Sequence, residues 1–171
     1  MADKITLTLD EIESRSAAAL HGHGAGDWQA ATVARAVVRA EETGNIICGL
    51  YYLESYCKQL ASGRVKGQVD PEVIQRRPGA VTVDAKLGFA QPAFARGLPF
   101  AVAAAKANGI ATLGIAHSHT CTSLGFFTEQ IAATGLIGIG FTNASAIVAG
   151  PGGKLPTIGT NPIAFTLPGE N

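Results

Sequence analysis

The chain has 171 residues, with 13 basic and 13 acidic side chains that cancel; this suits one domain of ordinary size or a piece of something larger. Hydrophobic residues make up 47% and charged residues 15%, a balance that excludes a disordered chain. The neutral charge argues against a general nucleic-acid binder, and no apolar run is long enough, uninterrupted, to span a membrane.

Ile5-Thr-Leu-Thr-Leu alternates as a short strand would. Asp10, with Glu13 three residues on, predicts a capped helix start, and that helix runs to about Leu20. His21-Gly-His23-Gly breaks it. Asp27 opens a second helix that places Ala30, Val33, Ala34, Val37 and Val38 on one face. A third helix is expected over Gly49 to Leu60, with Leu50, Leu53, Cys57 and Leu60 at helical spacing and Gly63 as its stop. Residues 64–79 carry Pro71 and Pro78 and read as a connector. Ala80 to Asp84 is a strand candidate, Gly88 to Gly97 a bend, and Pro99 to Asn108 a helix closed by Gly109. Strands are predicted over Ile110 to Ile115, Leu136 to Thr142, Ala144 to Val148 and Ile163 to Leu167. A helix is predicted over Leu124 to Thr134. Strands and helices alternate in the second half, so the fold class expected is α/β. A strand this close to the last residue leads us to expect a truncated fold.

Three cysteines, Cys48, Cys57 and Cys121, are too few and too scattered for a disulfide framework; with no signal-peptide core at the N-terminus, a cytoplasmic setting is expected. Glycine is abundant (21) and aromatics reach 6%, which fits close helix–sheet packing. So little charge predicts surface hidden in an oligomer or against a partner domain. His117-Ser118-His119-Thr120-Cys121 offers two imidazoles and a thiol at positions that share a face on extended backbone. One strand rarely closes a tetrahedron and no second cluster supplies a fourth ligand, so no metal site is assigned. Cys48 reads either as a nucleophile near a helix start or as a small buried residue, the second being favoured. Cys57 reads as packing. The chain has neither a Gly-x-Gly-x-x-Gly fingerprint between strand and helix nor a Walker A sequence. Gly159-Thr160-Asn161-Pro162 is a rigid polar turn whose amides and hydroxyl suit a carboxamide or phosphate; taken alone it is also an ordinary Asn-Pro turn.

Several segments in order resemble one family. They are Gly49-Leu50 with Leu60-x-x-Gly63, Val83-Asp84, Gly88-Phe89-Ala90-Gln91-Pro92-Ala93, Ile115 to Gly125, Gly135-Leu-Ile-Gly-Ile, Phe141-Thr-Asn-Ala-Ser and Pro156-Thr-Ile-Gly-Thr-Asn-Pro-Ile-Ala-Phe. Together they resemble the type 2 malate/L-lactate dehydrogenases, a family that includes sulfolactate dehydrogenase and the cyclic-imine (piperideine and pyrroline carboxylate) reductases. The resemblance covers the N-terminal half of that family. It implies a non-Rossmann NAD(P)-binding sheet fold, cytoplasmic homodimers, NAD or NADP as cofactor, and a small 2-oxo or 2-hydroxy acid, or cyclic 2-imino acid, as substrate; neither nucleic acid nor membrane is implied as a partner. It divides the chain into a mainly helical segment, 1–79, and an incomplete α/β nucleotide-binding segment, 80–171. By the same resemblance His117, Ser118, His119, Thr142, Asn143, Gly159, Thr160, Asn161, Pro162, Ile163 and Ala164 fall at cofactor-contacting positions. Three catalytic positions depart from the family pattern. Cys48 stands where the family carries the histidine proposed as proton donor, Tyr52 where it carries a carboxylate-binding arginine, and Thr120 where it carries a pocket histidine. A tryptophan that commonly precedes the Gly-Gly is Pro151 here. The resemblance therefore implies either an oxidoreductase of unusual equipment or a catalytically impaired fragment that acts only as a binding or interaction domain.

Overall fold

A computed structural model describes residues 5–169, which divide into two compact units, Met1–Ser123 and Leu124–Asn171. The expected boundary at 79/80 falls inside the first unit, where paired strands run across it.

In the first unit, α1 (Leu9–Gly22) opens on a capping box two residues earlier than expected. Thr8, not Asp10, is the N-cap: its hydroxyl accepts from the Glu11 N–H at 3.2 Å, and the Glu11 carboxylate accepts from the Thr8 N–H at 2.8 Å. Starting at Leu9 adds helix to the amphipathic stretch. Residues 5–8 form no strand; their alternation finds no sheet edge to pair with. Helix α2 (Asp27–Glu42) buries Ala30, Val33, Ala34 and Val37 as the spacing predicts. A 3₁₀ turn, Ile46–Cys48, leads into α3 (Leu50–Ala61). Cys57 and Leu60 are buried as the spacing predicts; Leu50, expected on the same stripe, is exposed, and Tyr56 joins the buried face. These helices share a core of Leu20, Val33, Val37, Tyr56, Leu60 and Phe89.

The connector expected over 64–79 contains a strand. β1 (Glu72–Arg77) pairs antiparallel with β2 (Ala80–Asp84), and β2 pairs parallel with β3 (Thr112–Ala116). Four of the six β1 residues are charged or amide-bearing, because β1 is an edge strand; that composition made it read as loop. Between β2 and β3 runs α4 (Ala90–Asn108), one helix where a bend and a shorter helix were expected. Pro99 lies inside it. Packing of α4 on the sheet outweighs the lost N–H: a Cβ on Gly97 would come within 2.5 Å of Val83 Cγ2 and 2.7 Å of Leu113 Cδ1, so the helix sits directly on β2 and β3.

In the second unit α5 (Gly125–Ala132) covers a two-stranded sheet of β4 (Gly138–Phe141) and β7 (Ile163–Thr166), antiparallel in register Ile139↔Phe165 and Phe141↔Ile163. Between them β5 (Val148–Ala149) pairs with β6 (Pro156–Ile158). The strand expected from Ala144 shrinks to two residues, and β6 forms in a stretch expected to be loop. The architecture is mixed α/β, as the alternation predicts.

Candidate functional site

The candidate residues fall into two groups, one in each unit.

In the first unit, α2 fixes the start of α3: the Glu41 carboxylate accepts from the Leu50 N–H at 2.7 Å. This places Cys48 just before the helix and Tyr52 on its first turn. Cys48 is half-buried; burial pushes its thiol up, and a hydrogen bond with Asn45 offsets part of that. Tyr52 packs edge-on to Tyr56, with ring centroids 5.1 Å apart. Tyr56 then meets Phe89 at 5.3 Å and His119 at 6.5 Å, so Tyr52 and His119 line one aromatic cluster.

The segment after β3 carries the other members. The His117 main chain has φ +50, and its ring Nδ1 lies 3.0 Å from Asp84 Oδ1 at the end of β2. The Lys86 N–H and then the His117 ring hold the Asp84 carboxyl below its ordinary value. His119 is tied back by its backbone: its N–H donates to Gly88 O at 2.7 Å, and the Ala90 N–H donates to its carbonyl at 3.1 Å. Its Nε2 is buried without a hydrogen-bond partner. Burial first, then the positive charge of Arg64, pull its pKa down, so the ring is neutral at pH 7. Ser118 is exposed, and the Thr120 hydroxyl accepts from the Thr122 N–H at 3.3 Å.

Two residues that spacing did not single out hold this loop. The Tyr56 hydroxyl donates to Thr122 Oγ1 at 3.0 Å and accepts from Gln91 Nε2 at 3.1 Å; Gln91 Nε2 also reaches the Cys121 carbonyl at 3.3 Å. Both side chains are buried, and burial pushes the Tyr56 phenol well above its usual range. The signal available in the sequence was a polar atom on an otherwise apolar helical stripe. His117 turns to Asp84 while His119 turns to the aromatic cluster. Among the described residues no three His, Cys, Asp or Glu side chains converge as metal ligands.

In the second unit the two cofactor-assigned stretches meet. Phe141 and Gly140 pair with Ile163 and Ala164, which brings Thr142-Asn143 beside the end of the 159–162 turn. The Asn161 side chain fastens them, its Oδ1 accepting from the Ala144 N–H at 2.9 Å, with Asn161 itself at φ +39. Gly159 lies so close that a Cβ there would stand 2.1 Å from the Ala144 carbonyl oxygen. Asn143, Thr160 and Pro162 are exposed beside this clasp.

Residues 7–171 match the family model described as malate/L-lactate dehydrogenase. The chain belongs to the malate/L-lactate dehydrogenase family. It is 38% identical over 162 residues to a (2R)-3-sulfolactate dehydrogenase (NADP(+)) of Chromohalobacter salexigens, covering 95% of this chain and 48% of that one. It is 36% identical over 164 residues to a Δ1-pyrroline-2-carboxylate/Δ1-piperideine-2-carboxylate reductase of Pseudomonas putida, covering 96% and 48%. The crystal structure of Δ1-piperideine-2-carboxylate reductase from Pseudomonas syringae superposes with a TM-score of 0.90 at 32% identity, over 96% of this chain and 50% of that one. Malate dehydrogenase from Pyrococcus horikoshii gives 0.90 at 29% identity, over 98% and 48%. The chain thus spans about half the length of the malate/L-lactate dehydrogenase relatives it matches, and corresponds to their N-terminal half.

Among the described residues no helix is long and apolar enough to cross a membrane.

Proposed function

We propose that this chain provides the N-terminal half of an NAD(P)-dependent oxidoreductase acting on a small 2-oxo or 2-hydroxy acid, or on a cyclic 2-imino acid, and working as a cytoplasmic homodimer. The observation that carries this is the clasp of Asn161 on the 142–144 loop. It holds a close backbone approach at Gly159 and leaves Asn143 and Thr160 free to face a ligand. That rigid, uncharged, donor-rich edge fits a nicotinamide cofactor, and so does the orphaned Nε2 of neutral His119 in the first unit. NADP is favoured by the name of the sulfolactate dehydrogenase relative.

When bound, the nicotinamide supplies or accepts hydride. The chain's own residues then have three tasks. Thr142, Asn143 and the 159–164 segment bind and orient the carboxamide and phosphate-bearing parts. His117, Ser118 and His119 contribute further contacts, with His119 held neutral by burial. Cys48 occupies the family acid position as the proton-holding group there, and Tyr52 offers one hydroxyl to a substrate carboxylate. Fluorescence titration of the full chain with NADPH and NADH tests the reading: saturable binding supports it, and no binding of either at about millimolar concentration contradicts it.

A second reading is favoured by Cys48 and Tyr52 themselves. A thiol raised by burial releases its proton far less readily at neutral pH than an imidazole does. A tyrosine brings neither a charge nor the bidentate fork of a guanidinium. On that reading the chain binds cofactor and does no chemistry. Turnover of a 2-oxo acid with NADPH by the unaltered chain rejects the second reading, whereas turnover gained only on the paired replacement Cys48→His with Tyr52→Arg supports it.

A further inference from the structure

The two parallel strands of the first unit end on a polar pair. β2 closes on Asp84, which stands in register with Ala116, and β3 runs on into His117. The carboxyl ends of neighbouring parallel strands are where open α/β sheets take ligands. Asp84 Oδ1 has two donors there, the Lys86 N–H at 2.8 Å and the His117 ring at Nδ1, 3.0 Å away. The Lys86 ammonium is turned to Glu72 at 3.4 Å. Lys86, Leu87 and His117 hold positive φ values of 50, 64 and 50, a backbone region that residues other than glycine seldom enter. The Leu87 N–H donates to the His117 carbonyl at 2.8 Å, so the two strained corners are locked on each other. Burial does not compensate: Leu87 is exposed, and 66% of the His117 side chain is open to solvent. Strain held on exposed residues beside a strand end points to a binding role.

The two donors keep the Asp84 carboxyl ionised at neutral pH, and an ionised carboxylate only accepts hydrogen bonds. The Nδ1 of His117 therefore carries the hydrogen. In the neutral ring the lone pair then lies on Nε2, the nitrogen that Asp84 does not engage. We propose that Asp84 is a positioning residue: it holds His117 in the Nδ1–H tautomer and so presents Nε2 as an acceptor for an N–H or O–H group of the nicotinamide cofactor. This rests on the reading above that the 117–119 stretch contacts the cofactor. The labour is divided along that stretch. His117 offers an oriented acceptor at the surface, Ser118 an exposed hydroxyl, and His119 a neutral ring turned to the aromatic cluster.

The test needs no turnover. Imidazole nitrogen NMR is recorded on the full chain, isotope-labelled at histidine, at about pH 8, above the ordinary histidine range. Spectra without and with NADPH are paired with NADPH titration by fluorescence. The hydrogen of His117 is expected on Nδ1. NADPH is expected to shift the Nε2 signal of His117 and to leave those of His21 and His23 in place. Asp84→Ala should move the hydrogen toward Nε2 and weaken NADPH by about tenfold. Asp84→Asn, whose Oδ1 still accepts from both donors, should restore affinity; a carboxylate that merely braced the turn would leave the tautomer and the Nε2 shift unchanged when removed. His117→Phe keeps a ring without nitrogen, and a loss of about tenfold at unchanged circular dichroism is expected; this arm does not depend on Asp84→Ala folding. The proposal is overturned if His117 carries its hydrogen on Nε2, if its Nε2 signal stays still while NADPH binds, or if Asp84→Ala or His117→Phe binds NADPH undiminished. In each of those cases NADPH binding by the unaltered chain keeps the cofactor reading. An unaltered chain that binds neither NADPH nor NADH is the separate result that removes that reading and this proposal together.

Discussion

Tyr56 does at residue scale what no single strand does: its hydroxyl ties α3 to the loop carrying His119 and Thr120 through Thr122 and Gln91. Tyr56→Phe keeps the ring contacts and leaves the buried Gln91 amide and the half-buried Thr122 hydroxyl short of a partner. The expected cost is about 1–3 kcal/mol in urea unfolding, where a loss near zero shows the hydroxyl to be idle. His119 makes a pH prediction. Its folded pKa lies below the unfolded value near 6.5. The unfolded chain therefore binds the extra proton first, so stability is fully present above about pH 6.5 and is lost as pH falls through the lower folded value. Asp84 is depressed as well, but its loss begins only as pH falls into the ordinary carboxylate range. Melting temperature should fall between about pH 7.5 and pH 5, and His119→Gln should flatten that fall; an equal fall in both proteins removes His119 as its source.

At the scale of elements, two glycines report on close approach. Gly97→Ala forces α4 off Val83 and Leu113 and is expected to cost roughly 1–3 kcal/mol by thermal unfolding. Gly159→Ala drives a methyl into the Ala144 carbonyl and undoes the Asn161 clasp; NADPH affinity should drop by about tenfold or more, measured by fluorescence titration. Gly150→Ala, with nothing within 4 Å of the added carbon, serves as its control. The same elements show what periodicity carries. Helix α2 and strand β2 were legible because their apolar faces repeat at a fixed period. The edge strand β1 was not, since an edge is marked by charge and looks like loop. Helix α4 was split at Gly97 and Pro99 because local propensity reads both as breakers, while tertiary packing uses the glycine to seat the helix. In the candidate site, the Gly159–Pro162 turn stands out by composition, but its bond to Ala144 spans 17 residues and leaves no local trace. The Tyr56–Thr122 bond spans 66 and is equally silent.

At the scale of the whole molecule, membership in the malate/L-lactate dehydrogenase family rests on nearly the full chain, whereas the chain accounts for about half of each relative. The helical core and three-stranded sheet of the first unit bury their apolar residues among themselves. The second unit leaves most of its large apolar residues outward. The clasped edge 142–144 with 159–164 is the proposed seat of a nicotinamide cofactor. Amide hydrogen exchange of the full chain with and without saturating NADPH tests it most directly. Slowed exchange at residues 142–144 and 159–164, and unchanged exchange in α1, is the predicted result. Binding of NADPH that leaves all of those segments at their unliganded rates would contradict the account.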